Sequence, residues 1–320
     1  MKMISFFRLV ILAGVVLQSA QAGTLYPVEV GDRWGFVDKS GKLVINPQFE
    51  RAGAFASGLA EVRIGRWGYV DAVGKVVINP QFDESGSFNE GLAAVELDHR
   101  YGYIGTDGKY VVNPQFDDAS RFSEGRAAVK LSRLFGYIDK TGAIVINPQF
   151  QSAGDFSDGL AAVKLGKLFG YIDPAGKILI NPQFDDAGLF SDGLAGVEQN
   201  RRWGFIGKDG KFVINPQFDA VHVFVKGLAP ARLGKVWGFI DSTGKFVINP
   251  QFEDADKFSE GLARVRVGGR WGFIGKDGKL VINPQFDEAA NFADGLARVK
   301  LGRKTGYVNT DGKYVWNPTN

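Results

Sequence analysis

Apolar and charged positions alternate in short runs along this chain. Ala60, Val62 and Ile64 fall on one face of such a run, while Glu61 and Arg63 fall on the other. A period of two with one charged face predicts a half-buried antiparallel strand. The same reading gives three strands per unit: strand A over residues 229–233, strand B over 237–241 and strand C over 245–248. Asp241-Ser242-Thr243-Gly244 joins B to C as a hairpin, with the Asp closing an Asx-turn and the Gly free to take positive φ. Asn249-Pro250 is expected to end strand C, because Pro donates no ladder hydrogen bond. Residues 251–261 then connect to the next strand A, with Phe252 and Phe258 as apolar plugs and room for a short fourth strand. No stretch carries the periodicity of a useful amphipathic helix, so the chain reads as all-β.

This unit recurs at steps of 33 or 34 residues. It begins at Trp34, Trp67, Tyr101, Phe135, Phe169, Trp203, Trp237, Trp271 and Thr305, each followed by Gly. A second Gly stands seven residues after each start, and Asn-Pro follows in every copy. A fixed period in this range denotes stacked supersecondary units that bury their apolar faces against one another. The first Gly, opposite the aromatic residues of strand B, implies a close backbone or ring neighbour.

Residues 1–22 lie outside the repeat. Lys2 and Arg8 precede a nine-residue apolar run, and Ala20-Gln21-Ala22 has the form of a cleavage site. This is the pattern of a secretory signal peptide, too short to span a bilayer, so the domains are taken as 1–22 signal peptide and 23–320 repeat array. The mature chain is expected to be periplasmic or secreted. With no Cys, no disulfide supports it, and stability rests on packing of 26 Phe, nine Tyr and six Trp. The formal charge of +3 falls to +1 once Lys2 and Arg8 are removed, which argues against a nucleic-acid partner.

The units WGFID-x-x-GK-x-VINPQF and FSEGLA-x-V resemble the WG repeat, also called the KWG repeat, over essentially the whole mature chain. The resemblance implies β-rich tandem modules and no particular activity. Tyr101, Phe135 and Phe169 replace Trp, and Thr305 replaces any ring, so a role that needs an indole N–H in each unit does not fit.

Two arrangements satisfy the repeat. Read from strand A, nine A-B-C triplets form an open superhelical β-solenoid, which is the expected fold. Read from Trp34, eight copies and a B-C remnant could close as a β-propeller-like ring, the N-terminal strand completing the last blade.

Candidate chemistry is sparse. There is no thiol, and His99 and His222 occupy non-equivalent repeat positions without a nucleophile elbow or zinc motif. Acid pairs such as Asp117-Asp118, Asp185-Asp186 and Glu253-Asp254 point to opposite faces of an extended chain and make a poor chelate. Neither an enzyme nor a metal or cofactor is therefore expected. The aromatic row could form a sugar platform, but rings that interchange so freely are better explained as core. Charge offers more. Arg232, Arg264, Arg266, Arg270, Arg298 and Lys300 gather on strands A and their turns, forming a basic stripe that either pairs with the acidic connectors or meets an anionic partner. The function expected is a non-enzymatic binding or scaffold module for a protein or an anionic envelope polymer. Carbohydrate binding by the aromatic row and an immunity or inhibitor role are the alternatives.

Overall fold

The computed structural model describes residues 24–317, and the expected signal peptide lies outside the described residues. Nine small antiparallel sheets follow one another in sequence, and each is a meander of neighbouring strands. They form blades 1 to 9 at residues 26–49, 51–82, 84–116, 118–150, 152–184, 186–218, 220–252, 254–286 and 288–316. Blade 4 is typical: a short strand Asp118–Ala119, then A at Arg126–Leu131, B at Leu134–Asp139 and C at Ile144–Phe150. A first strand of this kind opens every blade but the first, which has three strands; in blades 2 and 6 it lengthens to six residues, Arg51–Ala56 and Asp186–Ser191.

Strand C runs through Asn-Pro and does not stop there; in blade 7 it spans Phe246–Phe252. The register between B and C slips at this point, so that Trp237 faces Phe252 while Phe239 faces Ile248. The extra residues form a bulge on the outermost strand, the place where a missing N–H is tolerated. Gly238 sits under this bulge, where a Cβ would lie 2.5 Å from the Ile248 carbonyl oxygen and 2.7 Å from the Pro250 nitrogen. The invariant Gly is thus explained by backbone, not by a neighbouring ring.

One face of each blade packs on the opposite face of the next. Between blades 4 and 5, Tyr137, Ile146 and Phe150 meet Phe156, Ala161, Val163 and Ile172. The connector plug crosses this interface: the Phe156 ring lies 5.0 Å from that of Tyr137. Each B–C hairpin Gly abuts strand C of the preceding blade, as Gly176 does Ile146.

The array closes on itself, which overturns the expected open solenoid. The Tyr307 hydroxyl of blade 9 donates to the Pro27 carbonyl of blade 1 at 2.9 Å, and the Tyr26 hydroxyl donates to the Asp294 carbonyl at 3.0 Å. The two phenol rings meet edge-on at 5.5 Å within a patch that includes Val28, Val37 and Leu296. Gly41 of blade 1 likewise abuts strand C of blade 9, but there it meets the Val315 backbone carbonyl, where the other hairpin glycines meet a side chain. The protein is a nine-bladed β-propeller.

Its closure also differs from the expected latch. The N-terminal strand Tyr26–Val30 pairs within blade 1, and the last blade has its own four strands, so no sheet is shared across the seam. Where blade 1 lacks a short strand, the carbonyl of Pro27 would lose its partner; the equivalent Ala94 carbonyl accepts from Gly86 N–H. Tyr307 supplies that hydrogen bond instead, and burial pushes its phenol up to about 12.

Candidate functional site

Two register positions decide what each blade shows to the axis of the ring. One follows the short strand: Gly86, Ser120, Gly154, His222, Asp256 and Ala290 in blades 3, 4, 5, 7, 8 and 9. Their N–H groups donate to carbonyls at the second position, on strand A: Ala94, Ala128, Ala162, Pro230, Arg264 and Arg298. A cavity of about 400 Å³ is lined by Gly188 and Gly196 of blade 6, His222 of blade 7, Asp256 of blade 8 and Asn291 of blade 9. Four consecutive blades of a ring converge only near its axis, so these positions face inward.

The axis is unequal around its circumference. Blades 3 to 6 present Gly, Ala and Ser, whereas blades 7 to 9 present His222, Asp256, Arg264 and Arg298, and blade 2 presents Glu61. Arg264 is held on several sides. Its Nη2 lies 2.7 Å from Asp256 Oδ2, its guanidinium centre 4.9 Å from the Trp271 ring, and its Nη1 donates to the Ala289 carbonyl. Asn291 Nδ2 donates to the same Asp256 oxygen at 3.1 Å. Burial works to raise the Asp256 carboxyl, but the Lys257 N–H, Arg264 and Asn291 outweigh it and hold it below the usual range.

A larger cavity, about 680 Å³, wraps the inner edge of blade 9. Trp34 and Glu29 of blade 1 line one side, and Arg264 and Trp271 of blade 8 the other. Blade 9 contributes Arg298, Lys300, Arg303, Glu288 and Thr305. Thr305 stands where the eight preceding repeats carry an aromatic ring, and the space that ring would fill belongs to the cavity. Lys300 Nζ is committed to Glu288 at 2.6 Å. Among the described residues Arg298 and Arg303 form no ion pair.

The basic stripe expected from sequence is therefore divided. Arg264, Arg298 and Lys300 come together at this cavity. Arg232 lies over the Trp237 ring at 5.6 Å, Arg266 is 3.9 Å from Glu253, and Arg270 pairs with Asp287. Arg303 joins the cavity from the turn after strand A.

The aromatic row is likewise divided. Trp237 is 7% exposed, with His222 stacked on it at 4.9 Å, while Trp34, Trp67, Tyr101, Phe135, Phe169, Trp203 and Trp271 are half-buried. Lys130 and Lys164 lie over Phe135 and Phe169 at 5.3 and 5.1 Å. Rings capped by cations within their own blades are poor stacking platforms; Trp34 and Trp271 both line the large cavity, but Arg264 caps Trp271, which leaves Trp34 as the open ring there. Glu61, Asp256 and Asn291 escape a search for familiar motifs. For Glu61 and Asp256 the signal was departure from Ala, Gly or Ser at inward register positions; Asn291, one residue past such a position, carried none. Among the described residues no three His, Asp or Glu side chains gather as a metal site, and no helix is long and apolar enough to cross a membrane.

Among solved structures, one titled as a eukaryotic initiation factor is similar over 91% of this chain and 95% of its own, with 11% identity and a TM-score of 0.65. The dihydro-heme d1 dehydrogenase NirN, in complex with DHE, matches 93% of this chain and 74% of its own at 13% identity and a TM-score of 0.48. At such identities the likeness is one of fold alone. No curated protein matches the chain. The WG containing repeat matches at residues 34–66, 67–98, 101–132, 135–168, 169–203, 203–237, 237–271 and 271–304. These eight consecutive matches cover most of the ring, and the chain belongs to the WG containing repeat family.

Proposed function

We propose that this propeller is a non-catalytic binding module of the bacterial envelope that holds an anionic partner, protein or polymer, at the axial end of blades 8, 9 and 1. A propeller of near-identical blades is suited to an interaction or scaffold role. The observation that carries the anionic reading is the local excess of cations: Arg264, Arg298, Lys300 and Arg303 face Glu29 and Glu288 in one cavity, with Arg298 and Arg303 unpaired among the described residues. Unpaired guanidinium groups in a concave site are strong partners for carboxylates and phosphates. Export rests on Lys2, Arg8, the apolar run and Ala20-Gln21-Ala22. A non-catalytic role is supported by the two histidines: His222 is stacked on Trp237, and His99 is a fully exposed turn residue 3.7 Å from Glu96.

The test is retention of the chain from residue 23 on an immobilised anionic envelope polymer, at two salt concentrations. Arg298→Glu with Arg303→Glu is expected to abolish retention, whereas Arg266→Glu with Arg270→Glu, altering cations already paired, leaves most of it. Equal loss from both pairs would mean a diffuse charge effect and no site.

A further inference from the structure

We infer that the cavity around blade 9 is a subsite for an acidic sugar, a pyranose ring bearing a carboxylate such as a uronic acid; this rests on the anionic-partner reading above. The cavity's volume of about 680 Å³ falls within the range of small-ligand sites, roughly 300–1,000 Å³, and suits one or two sugar units. Its lining combines three kinds of group. Trp34 offers indole surface to the apolar C–H face of a pyranose, and Trp271, capped by Arg264, walls the opposite side. Arg298 offers a guanidinium at a register position where blades 3 to 5 carry Ala, and no acid among the described residues pairs with it. Glu29, Glu288 and the Thr305 hydroxyl offer acceptors and a donor for sugar hydroxyls.

This mixture separates the sugar from an acidic peptide or a densely charged polymer. Two carboxylates in the lining oppose a ligand that carries a charge at every atom group, but they suit one with a single carboxylate and many hydroxyls. Aromatic surface adds little for a run of Asp or Glu. Thr305 is the opening residue: a ring there, as in the other repeats, would occupy the space assigned to the sugar.

The experiment is calorimetric titration of the chain from residue 23 with digalacturonate, its neutral dimethyl ester and pentaglutamate, with indole fluorescence followed in parallel. Digalacturonate is expected to bind and shift the fluorescence, at least tenfold more tightly than the ester or the peptide. Thr305→Trp should abolish binding and Arg298→Ala weaken it at least tenfold, both with an unchanged circular dichroism spectrum. Should Thr305→Trp not fold, Arg298→Ala alone decides, since Ala already occupies that position in other blades. No binding of digalacturonate, equal binding to the ester, or undiminished binding by either folded variant overturns the inference. Pentaglutamate binding as tightly as the sugar also overturns it, in favour of an acidic peptide. If polymer retention remains sensitive to Arg298→Glu with Arg303→Glu while digalacturonate fails, only the sugar assignment falls; if retention is also insensitive, the anionic-partner reading falls with it.

Discussion

Blades 3 to 6 and blades 7 to 9 are built on the same repeat but use it differently. In the first group the interfaces are laced by hydrogen bonds from a common set. Tyr103, Tyr137 and Tyr171 donate to the Ser120, Gly154 and Gly188 carbonyls of the next blade. Ser123, Ser157 and Ser191 donate to the Phe156, Phe190 and Phe224 carbonyls. The carboxylates of Glu124, Asp158 and Asp192 accept from Gly159, Gly193 and Gly227 N–H. In blades 6 to 8 Phe205, Phe239 and Phe273 replace the tyrosines, and in blade 7 Lys226 stands where an acceptor is needed, although blade 8 keeps the other two links through Ser259 and Glu260 and blade 9 keeps Tyr307. The axial residue after the short strand varies with its neighbour: Gly86, Ser120, Gly154 and Gly188 accept a tyrosine hydroxyl from the preceding blade, whereas His222, Asp256 and Ala290 follow a blade that carries Phe there. The charged side chains of the proposed site thus cluster over the stretch where the repeat is most altered, and blades 3 to 5 are the most regular part of the frame.

The severest way to break this contrast is to remove a blade from the frame. Deletion of residues 135–168, one whole repeat, forces eight blades to close with interfaces shaped for nine. The cooperative thermal transition seen by circular dichroism should be lost. A transition that survives with only one repeat's share of stability missing would mean that closure contributes nothing.

Glu61 sharpens the contrast by placing an acid where blades 3 to 5 carry Ala. Burial pushes its carboxyl from 4.5 up to about 7, only partly offset by the Ser87 hydroxyl, and its Oε2 has no hydrogen-bond partner. The folded state thus holds the proton more tightly than the unfolded chain. The resulting stabilisation is complete below pH 4.5 and lost as pH rises through 7. Thermal midpoints should fall across that window by an amount equivalent to at most about 3 kcal/mol. Glu61→Ala should flatten this segment of the profile, and a variant that keeps the slope would place its origin elsewhere.

Gly41 and Gly142 compare the seam with the frame directly, since both have φ of +86°. Alanine at either costs about 1–2 kcal/mol for the left-handed backbone. At Gly142 the new methyl meets the Val112 side chain, which can rotate, but at Gly41 it meets the Val315 carbonyl, which cannot. Gly41→Ala should lower the melting temperature further, and equal losses would mean that the seam yields as readily as a side chain. The smallest effect is expected from Tyr307→Phe, about 1 kcal/mol for the hydrogen bond to Pro27. Tyr137→Phe should cost no more, because Phe already stands at that register in four blades, among them Phe205 and Phe239.

Much of the frame was legible in the sequence because its causes are local. Alternation marked the strands, Asp-x-x-Gly marked the hairpins, and the fixed Gly of strand B marked the close approach that Gly238 makes beneath the bulge at Pro250. Closure was not legible. It is the sum of nine small rotations, and no residue encodes that sum; the phenols of Tyr26 and Tyr307 declare it only once they are seen together. Half of the basic stripe misled for a related reason: strand alternation places Arg266 on a face but does not reveal Glu253 beside it. Arg298 could have been singled out by aligning the repeats, since it replaces Ala at an inward position. Thr305 drew notice as the missing ring, yet the void it leaves takes shape only when blades 1 and 8 flank it.

That no strand crosses from blade 9 to blade 1 gives the molecule the mechanics of a split washer. Parting those two blades severs the phenol bonds of Tyr26 and Tyr307 and uncovers one apolar patch, while every sheet stays whole. The gap so formed would lie beside Thr305 and Arg298, so opening the seam would unmake the proposed site along with the ring.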